Sequence, residues 1–430
     1  RPNVSYTMKE TAAPKGYQLA APFTFKVDAQ GRAALEGTPD QAAAAGTALT
    51  VKDRKIEVSL RKVSSQDDRA DAMDSTKLPG AVFEVTPESG SAFAVEVTDS
   101  KITLNDSNEN GLSGMLIAGH TYRVHEVTAP AGYELAQDFT FTVDENGMAA
   151  VTNPGTADSA GVISGDGDSV VVRVKDEPIE LAVVKKDKAD TSKALAGAEF
   201  KLVPVDGHTF ADGSTKEKIL KTEADGKAVI PSASLKQEAD YVLTETKAPN
   251  GYVLAAPAPG VNLHVQTDGT VTLTEVKDQR DYSIEGTGTA VITVTDRMTK
   301  LTLDKADNET QERLAGAVLE IYLKGDFDAA KGKPMDGAVA KASWTSTTAA
   351  AGEITGLIAG AEYVLYEAAA PSGYDSFKPV SFTLETDNRI TLADTGRTDI
   401  TLTQDKAGAE ETGNWTIKMT DTRIRGHVAL

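Results

Sequence analysis

Apolar and polar residues alternate with a period of two in short runs along the whole chain. Phe23, Phe25 and Val27 form one such run; Phe139, Phe141 and Val143, then Val261, Leu263 and Val265, then Val380, Phe382 and Leu384 form others. Turn-forming residues follow each run, at Asp28 to Gly31, Asp144 to Gly147, Asp268-Gly269 and Asp387-Asn388. Alternation between such punctuation marks half-buried strands. No long run carries the 3.6-residue helical period, and the alanine-rich stretch 41–47 reads as a loop or a single helical turn. Many short strands with frequent turns predict an all-β chain, a sandwich or barrel in each unit.

These runs are arranged around a phrase that occurs four times, Y-x-x-x-E-x-x-x-P-x-G-Y, spanning Tyr6 to Tyr17, Tyr122 to Tyr133, Tyr241 to Tyr252 and Tyr363 to Tyr374. Its glutamates, Glu10, Glu126, Glu245 and Glu367, are 116, 119 and 122 residues apart. A period of that length is a whole small domain, large enough to bury its own core. Each unit closes on a strand ending in aspartate (Asp53, Asp176, Asp296, Asp421). The next opens on a strand whose lysine (Lys62, Lys185, Lys305) lies nine residues further on. This punctuation predicts a partial unit over 1–53, complete units over 54–177, 178–297 and 298–422, and the start of a first strand over 423–430. Linkers this short predict a stiff rod.

Parity along a strand then places the charges. Residues i, i+2 and i+4 share a face. Lys305 therefore lies with Leu301 and Leu303, Glu367 with Tyr363 and Leu365, and Asp421 with Ile417 and Met419. The same holds for Lys62, Glu126 and Asp176, and for Lys185, Glu245 and Asp296. Each complete unit thus turns one lysine and two acids toward its apolar side, where a charge is costly unless it finds a partner. If the first and last strands lie side by side, two outcomes are open. One is a buried ion triad. The other is an amide from lysine to aspartate: burial favours a neutral amine and a protonated carboxyl, and the glutamate relays protons.

Composition narrows the classes. The chain has no cysteine, so disulfides, iron–sulfur clusters and thiolate zinc sites are excluded. It carries 44 basic against 64 acidic residues, a net charge of −20, which disfavours nucleic acid and anionic membranes as partners. No apolar run reaches membrane-spanning length. No signal peptide precedes Arg1-Pro2-Asn3, so the sequence reads as a window from a longer protein. The five histidines (His120, His125, His208, His264, His427) have no paired metal spacing. Asp106 to Gly111 matches the front of a calcium loop, but position twelve is Ile117, so a turn is the better reading. Gly165 to Asp168 reads as a solvated acidic loop, and Trp344 and Trp415 as core or loop residues. No cofactor or metal is expected, and no motif of a conventional enzyme is present.

The phrase resembles the "E-box" of collagen-adhesin B-type domains, the prealbumin-like (SpaA-like) repeats of Gram-positive surface adhesins and pilins. The resemblance covers nearly the whole chain. It implies tandem Ig-like or transthyretin-like β-sandwiches, each clamped by a spontaneous isopeptide bond from the first-strand lysine to the last-strand acid and catalysed by the E-box glutamate. Carried over, the sets are Lys62, Glu126 and Asp176; Lys185, Glu245 and Asp296; Lys305, Glu367 and Asp421. Glu10 and Asp53 are the corresponding residues of the partial unit. With aspartate where many relatives have asparagine, the leaving group is water. The implied role is the stalk of an extracellular, cell-wall-anchored adhesin. A distal domain would meet host matrix or host surface, and peptidoglycan anchoring would lie outside this chain. The alternatives are a segment of a sortase-assembled pilus backbone, or a repeat that binds a host ligand through its insertions (84–111, 203–221 or 324–350).

Overall fold

Among the described residues the period-two runs form strands, and two sheets face each other in each complete unit. The computed structural model of the chain describes residues 1–66, 78–88, 93–97, 101–104, 116–153, 157–158, 169–254, 261–275, 282–285, 290–386, 389–407 and 410–425. In the first complete unit one sheet orders Ala149–Asn153, Phe139–Val143, Thr121–Thr128, Ala81–Pro87 and Phe93–Val97. The facing sheet orders Ala157–Asp158, Ser169–Asp176, Glu57–Ser64 and Lys101–Leu104. The second and third units repeat this plan.

The first and last strands of each unit are neighbours and run parallel. Glu57–Ser64 pairs with Ser169–Asp176, Leu181–Asp187 with Ala290–Met298, and Lys300–Asp307 with Glu410–Asp421. Both ends of each domain thus enter one sheet side by side. The strand carrying the E-box glutamate sits in the centre of the other sheet. Alternate residues of both sheets fill the space between them, as in Leu60, Phe83, Tyr122, Phe141 and Val174 of the first unit, all at most 1% exposed. The second and third units have separate cores of the same kind.

The alanine-rich stretch is neither a loop nor a helical turn. Ala42–Ala45 pairs antiparallel with Ala48–Val51, and Gly46 takes the left-handed conformation (φ 61°) at the bend. Alanine sets no strong pattern, so the hairpin rests on its backbone ladder. Trp344 and Trp415 are half-buried against the third core. The calcium-like loop, the Gly165 loop, the turn at Asp387-Asn388 and His427 lie outside the described residues. So does 426–430, the end of the predicted new strand.

Candidate functional site

Parallel register fixes which residues meet. Lys62 pairs with Val174, Lys185 with Val294 and Lys305 with Met419 across the first and last strands. The aspartates Asp176, Asp296 and Asp421 lie two residues beyond those partners, on the same face. In each unit the lysine ammonium donates directly to that aspartate's Oδ1. The glutamate reaches in from the facing sheet, with Nζ–Oε distances of 2.7 Å for Lys62–Glu126, 2.8 Å for Lys185–Glu245 and 3.0 Å for Lys305–Glu367. All nine side chains belong to residues at most 4% exposed. The three sets named from the sequence are therefore the three sets the fold brings together.

The glutamate is held, not merely present. Its Oε2 accepts the backbone N–H ten residues on, from Ala136 to Glu126 at 2.7 Å and from Phe377 to Glu367 at 2.9 Å. Oε1 of each is left facing the lysine. The strand also carries a bulge just past the glutamate. Glu126 opposes Phe83 while Thr128 opposes Val82; Glu245 opposes Phe200 while Lys247 opposes Glu199; Glu367 opposes Leu319 while Ala369 opposes Val318. An extra residue there re-aims the neighbouring side chains, a recurrent device beside functional groups. Alternation alone gives no sign of it.

An aromatic ring also covers the ammonium in every unit. Lys62 Nζ lies 5.3 Å from the Phe83 ring centre and Lys185 Nζ 5.8 Å from that of Phe200. The third unit has Leu319 at the matching strand position, and there Phe377 supplies the ring at 4.7 Å. The position ten residues after the glutamate is small in the first unit, Ala136, and aromatic only in the third. The ring moves from one element to another and the cover over the lysine is kept.

Burial sets the protonation. It pushes the Asp176 carboxyl up to about 8, with Lys62 pulling it down and the Glu126 charge pushing it further up. Burial likewise raises Glu245 to about 8, opposed by Lys185 and aided by Asp296. Glu367 and Asp421 are both raised, again chiefly by burial, with Lys305 opposing. Two carboxyls share one cation in a dry space, so burial favours the protonated form of one acid, Asp176 in the first unit and Glu245 in the second. Each site thus holds a lysine ammonium and two carboxyls in contact, with burial raising carboxyls in all three.

Glu10 and Asp53 also come together. Glu10 Oε2 accepts the Ala20 N–H at 2.6 Å, and Asp53 is raised by partial burial and by its neighbour Glu10. Elsewhere, His125 pairs with Asp138, and His208 and His264 flank Asp240. Among the described residues no group of metal-ligating side chains assembles, and no helix is long and apolar enough to cross a membrane.

A family model described as a SpaA prealbumin-like fold domain matches residues 57–155, 180–280 and 299–398. Solved structures similar to the chain include the pilus adhesin SpaC from Lactobacillus rhamnosus GG in its open conformation. It is 15% identical, with a TM-score of 0.39, over 95% of this chain and 48% of that one. The Bacillus anthracis TIE protein is 18% identical, with a TM-score of 0.34, over 98% and 68%. The full-length major pilin SpaD from Corynebacterium diphtheriae is 15% identical, with a TM-score of 0.32, over 87% and 98%. The chain spans about half the length of the SpaC adhesin. No curated protein matches it.

Proposed function

Because the chain belongs to the SpaA prealbumin-like fold domain family, in three tandem repeats, we propose that it is a self-crosslinked stalk segment of a Gram-positive surface adhesin. Lys62, Lys185 and Lys305 form amides with Asp176, Asp296 and Asp421, promoted by Glu126, Glu245 and Glu367. In the first repeat the lysine ammonium gives a proton to Glu126 and the freed amine attacks Cγ of the protonated Asp176. In the second, where Glu245 is the raised acid, its proton first passes to Asp296, and Glu245 then takes one from Lys185. A C–N bond forms and a C–O bond breaks. Two protons leave the nitrogen: one passes through the glutamate to the departing hydroxyl, which leaves as water, and the other stays on the glutamate. Contact between the reacting groups makes the step effectively unimolecular, and the closed space keeps bulk water out. Glu10 and Asp53 hold the relay and acceptor positions of the same chemistry over 1–53.

The observation that carries this reading is the recurrence of one sealed triad at one place in all three repeats. Burying two acids and a lysine is a poor way to stabilise a core, and doing so three times calls for chemistry. The amide would close loops of 114, 111 and 116 residues. Loops that long are worth ~4–5 kcal/mol each in the chain-entropy account of crosslinks. Since the joined strands carry both ends of the domain, pulling on the array would load a covalent path. The stalk would hold a binding head, borne elsewhere in the protein, away from the cell wall.

Peptide mapping of Glu245→Gln tests the reading. In the unaltered protein the Lys185 and Asp296 peptides stay joined after digestion; in the variant they separate while the Lys62–Asp176 and Lys305–Asp421 pairs stay joined. Peptides that run separately in both proteins would overturn it.

A further inference from the structure

The second half of the recurring phrase, P-x-G-Y, plays no part at the triad. It lies on the segment that leaves the repeat. Ile56 N–H donates to Gly16 O at 3.0 Å, Ile179 to Gly132 at 2.8 Å, Thr299 to Gly251 at 2.9 Å and Ile424 to Gly373 at 2.9 Å. In return Gln18 N–H donates to Arg54 O and Glu134 N–H to Glu177 O, both at 2.8 Å. The tyrosine fastens the turn to its own repeat: Tyr252 Oη donates to Asp187 at 2.8 Å and Tyr374 Oη to Asp307 at 2.7 Å.

The glycine side of the turn meets the next repeat. At the junction of the first and second repeats the Gln237 amide donates to Pro130 O at 3.1 Å and to Tyr133 O, and its Oε1 accepts from Gly132 N–H at 3.4 Å. Ala233, a non-glycine residue in the left-handed conformation (φ 55°), lies with its carbonyl against Gly132, where a β-carbon would collide with it. Leu135 N–H reaches the Asp268 carbonyl of the following turn at 3.4 Å. At the next junction Gly251 packs on Gly356, its would-be β-carbon 3.1 Å from Gly356 Cα, and Thr299 Oγ1 donates to Gly251 O and Leu357 O at 3.2 and 2.7 Å. At the first junction Gln18, 6% exposed, donates to Gly147 O at 3.3 Å. Gly16, Gly132 and Gly251 are buried; Gly373, beyond which no repeat is described, is exposed.

We propose that P-x-G-Y is an interdomain joint whose partner is a loop or turn of the following repeat. It fixes successive repeats in one orientation. Its chemistry differs at each junction, Gln237 at one and Thr299 at the next, so the order of repeats is written into the joints. The proposal does not need the triads to react.

Spin-label distance measurements test it. The chain has no cysteine, so two introduced cysteines are the only labelling points. Ala150→Cys with Ile219→Cys spans the first-to-second junction, and Ile219→Cys with Val339→Cys spans the second-to-third; all three residues are exposed. Both pairs should give narrow distributions. Gln237→Ala should widen the first at least twofold and leave the second unchanged, and Thr299→Val should do the reverse. Broad distributions in the unaltered protein, or widths that neither substitution moves, would overturn the joint. The intact mass of the same samples reports crosslinking separately, so the two readings fail independently.

Discussion

Residues 1–53 and the complete repeats carry the same phrase and treat it differently. In both, a backbone N–H ten residues on anchors the glutamate, at 2.6 Å for Glu10 and 2.7 Å for Glu126. In both, the glutamate sits beside an aspartate. Yet Tyr6, which opens the phrase, is 36% exposed, while Tyr122, Tyr241 and Tyr363 are at most 1% exposed. Glu10 and Asp53 are only partly buried. Among the described residues no lysine strand faces the three-stranded sheet Ser5–Met8, Phe23–Val27 and Ala33–Glu36. The phrase by itself positions the acids. The lysine strand, with the sheet it brings, supplies the deeper burial of the acids and the ammonium that meets them.

Removing a lysine from a complete repeat should make it resemble 1–53 in this respect, and this is the largest effect expected. Lys185→Ala deletes the ammonium and with it the proposed crosslink, and should cost the second repeat at least ~4 kcal/mol. In calorimetry one transition should fall and the other two stay in place; three unmoved transitions would show that the lysine holds nothing.

The aromatic cover gives a finer comparison between repeats. Phe377→Leu should weaken the third repeat by ~1–3 kcal/mol, from lost packing and the lost ring over the ammonium. Adding Leu319→Phe, which restores the arrangement of the first two repeats, should recover most of the loss. A double variant no better than the single one would mean that the ring position is incidental.

Acidity separates dry sites from wet ones more gently. Asp176 has its carboxyl raised to about 8, so the neutral, reactive acid is present below that pH and is consumed above it. Crosslinking of newly made chains at Lys62–Asp176 should slow about tenfold per pH unit above 8, since each unit removes that fraction of the acid form. Time-resolved mass spectrometry in buffers from pH 6 to pH 9 follows it; a rate that rises steadily through pH 9 would place the reactive proton elsewhere.

Much of the site was legible in the sequence because side-chain alternation in a strand is strict. Once Lys62, Glu126 and Asp176 shared parity with Leu60, Val124 and Val174, they had to point inward. That the first and last strands lie side by side was only one arrangement open to the sequence; the parallel register supplies it. What stayed hidden depends on contacts between distant strands. The bulge after Glu126 exists only in its register against Val82 and Phe83. The exchange of Leu319 and Phe377 is visible only when both are seen against Lys305. The alanine hairpin over 42–51 is held by its backbone, which composition does not report. The docking of Gly132 on Ala233 joins residues about a hundred positions apart, and no local pattern announces it.

The central claim, three amides in one chain, rests most directly on intact mass under fully denaturing conditions. The account predicts a mass below that of the linear sequence by one water for each of the three bonds, with one water regained in Lys185→Ala after correction for the substitution itself. A mass equal to that of the linear sequence would contradict it and leave the triads as buried ion pairs.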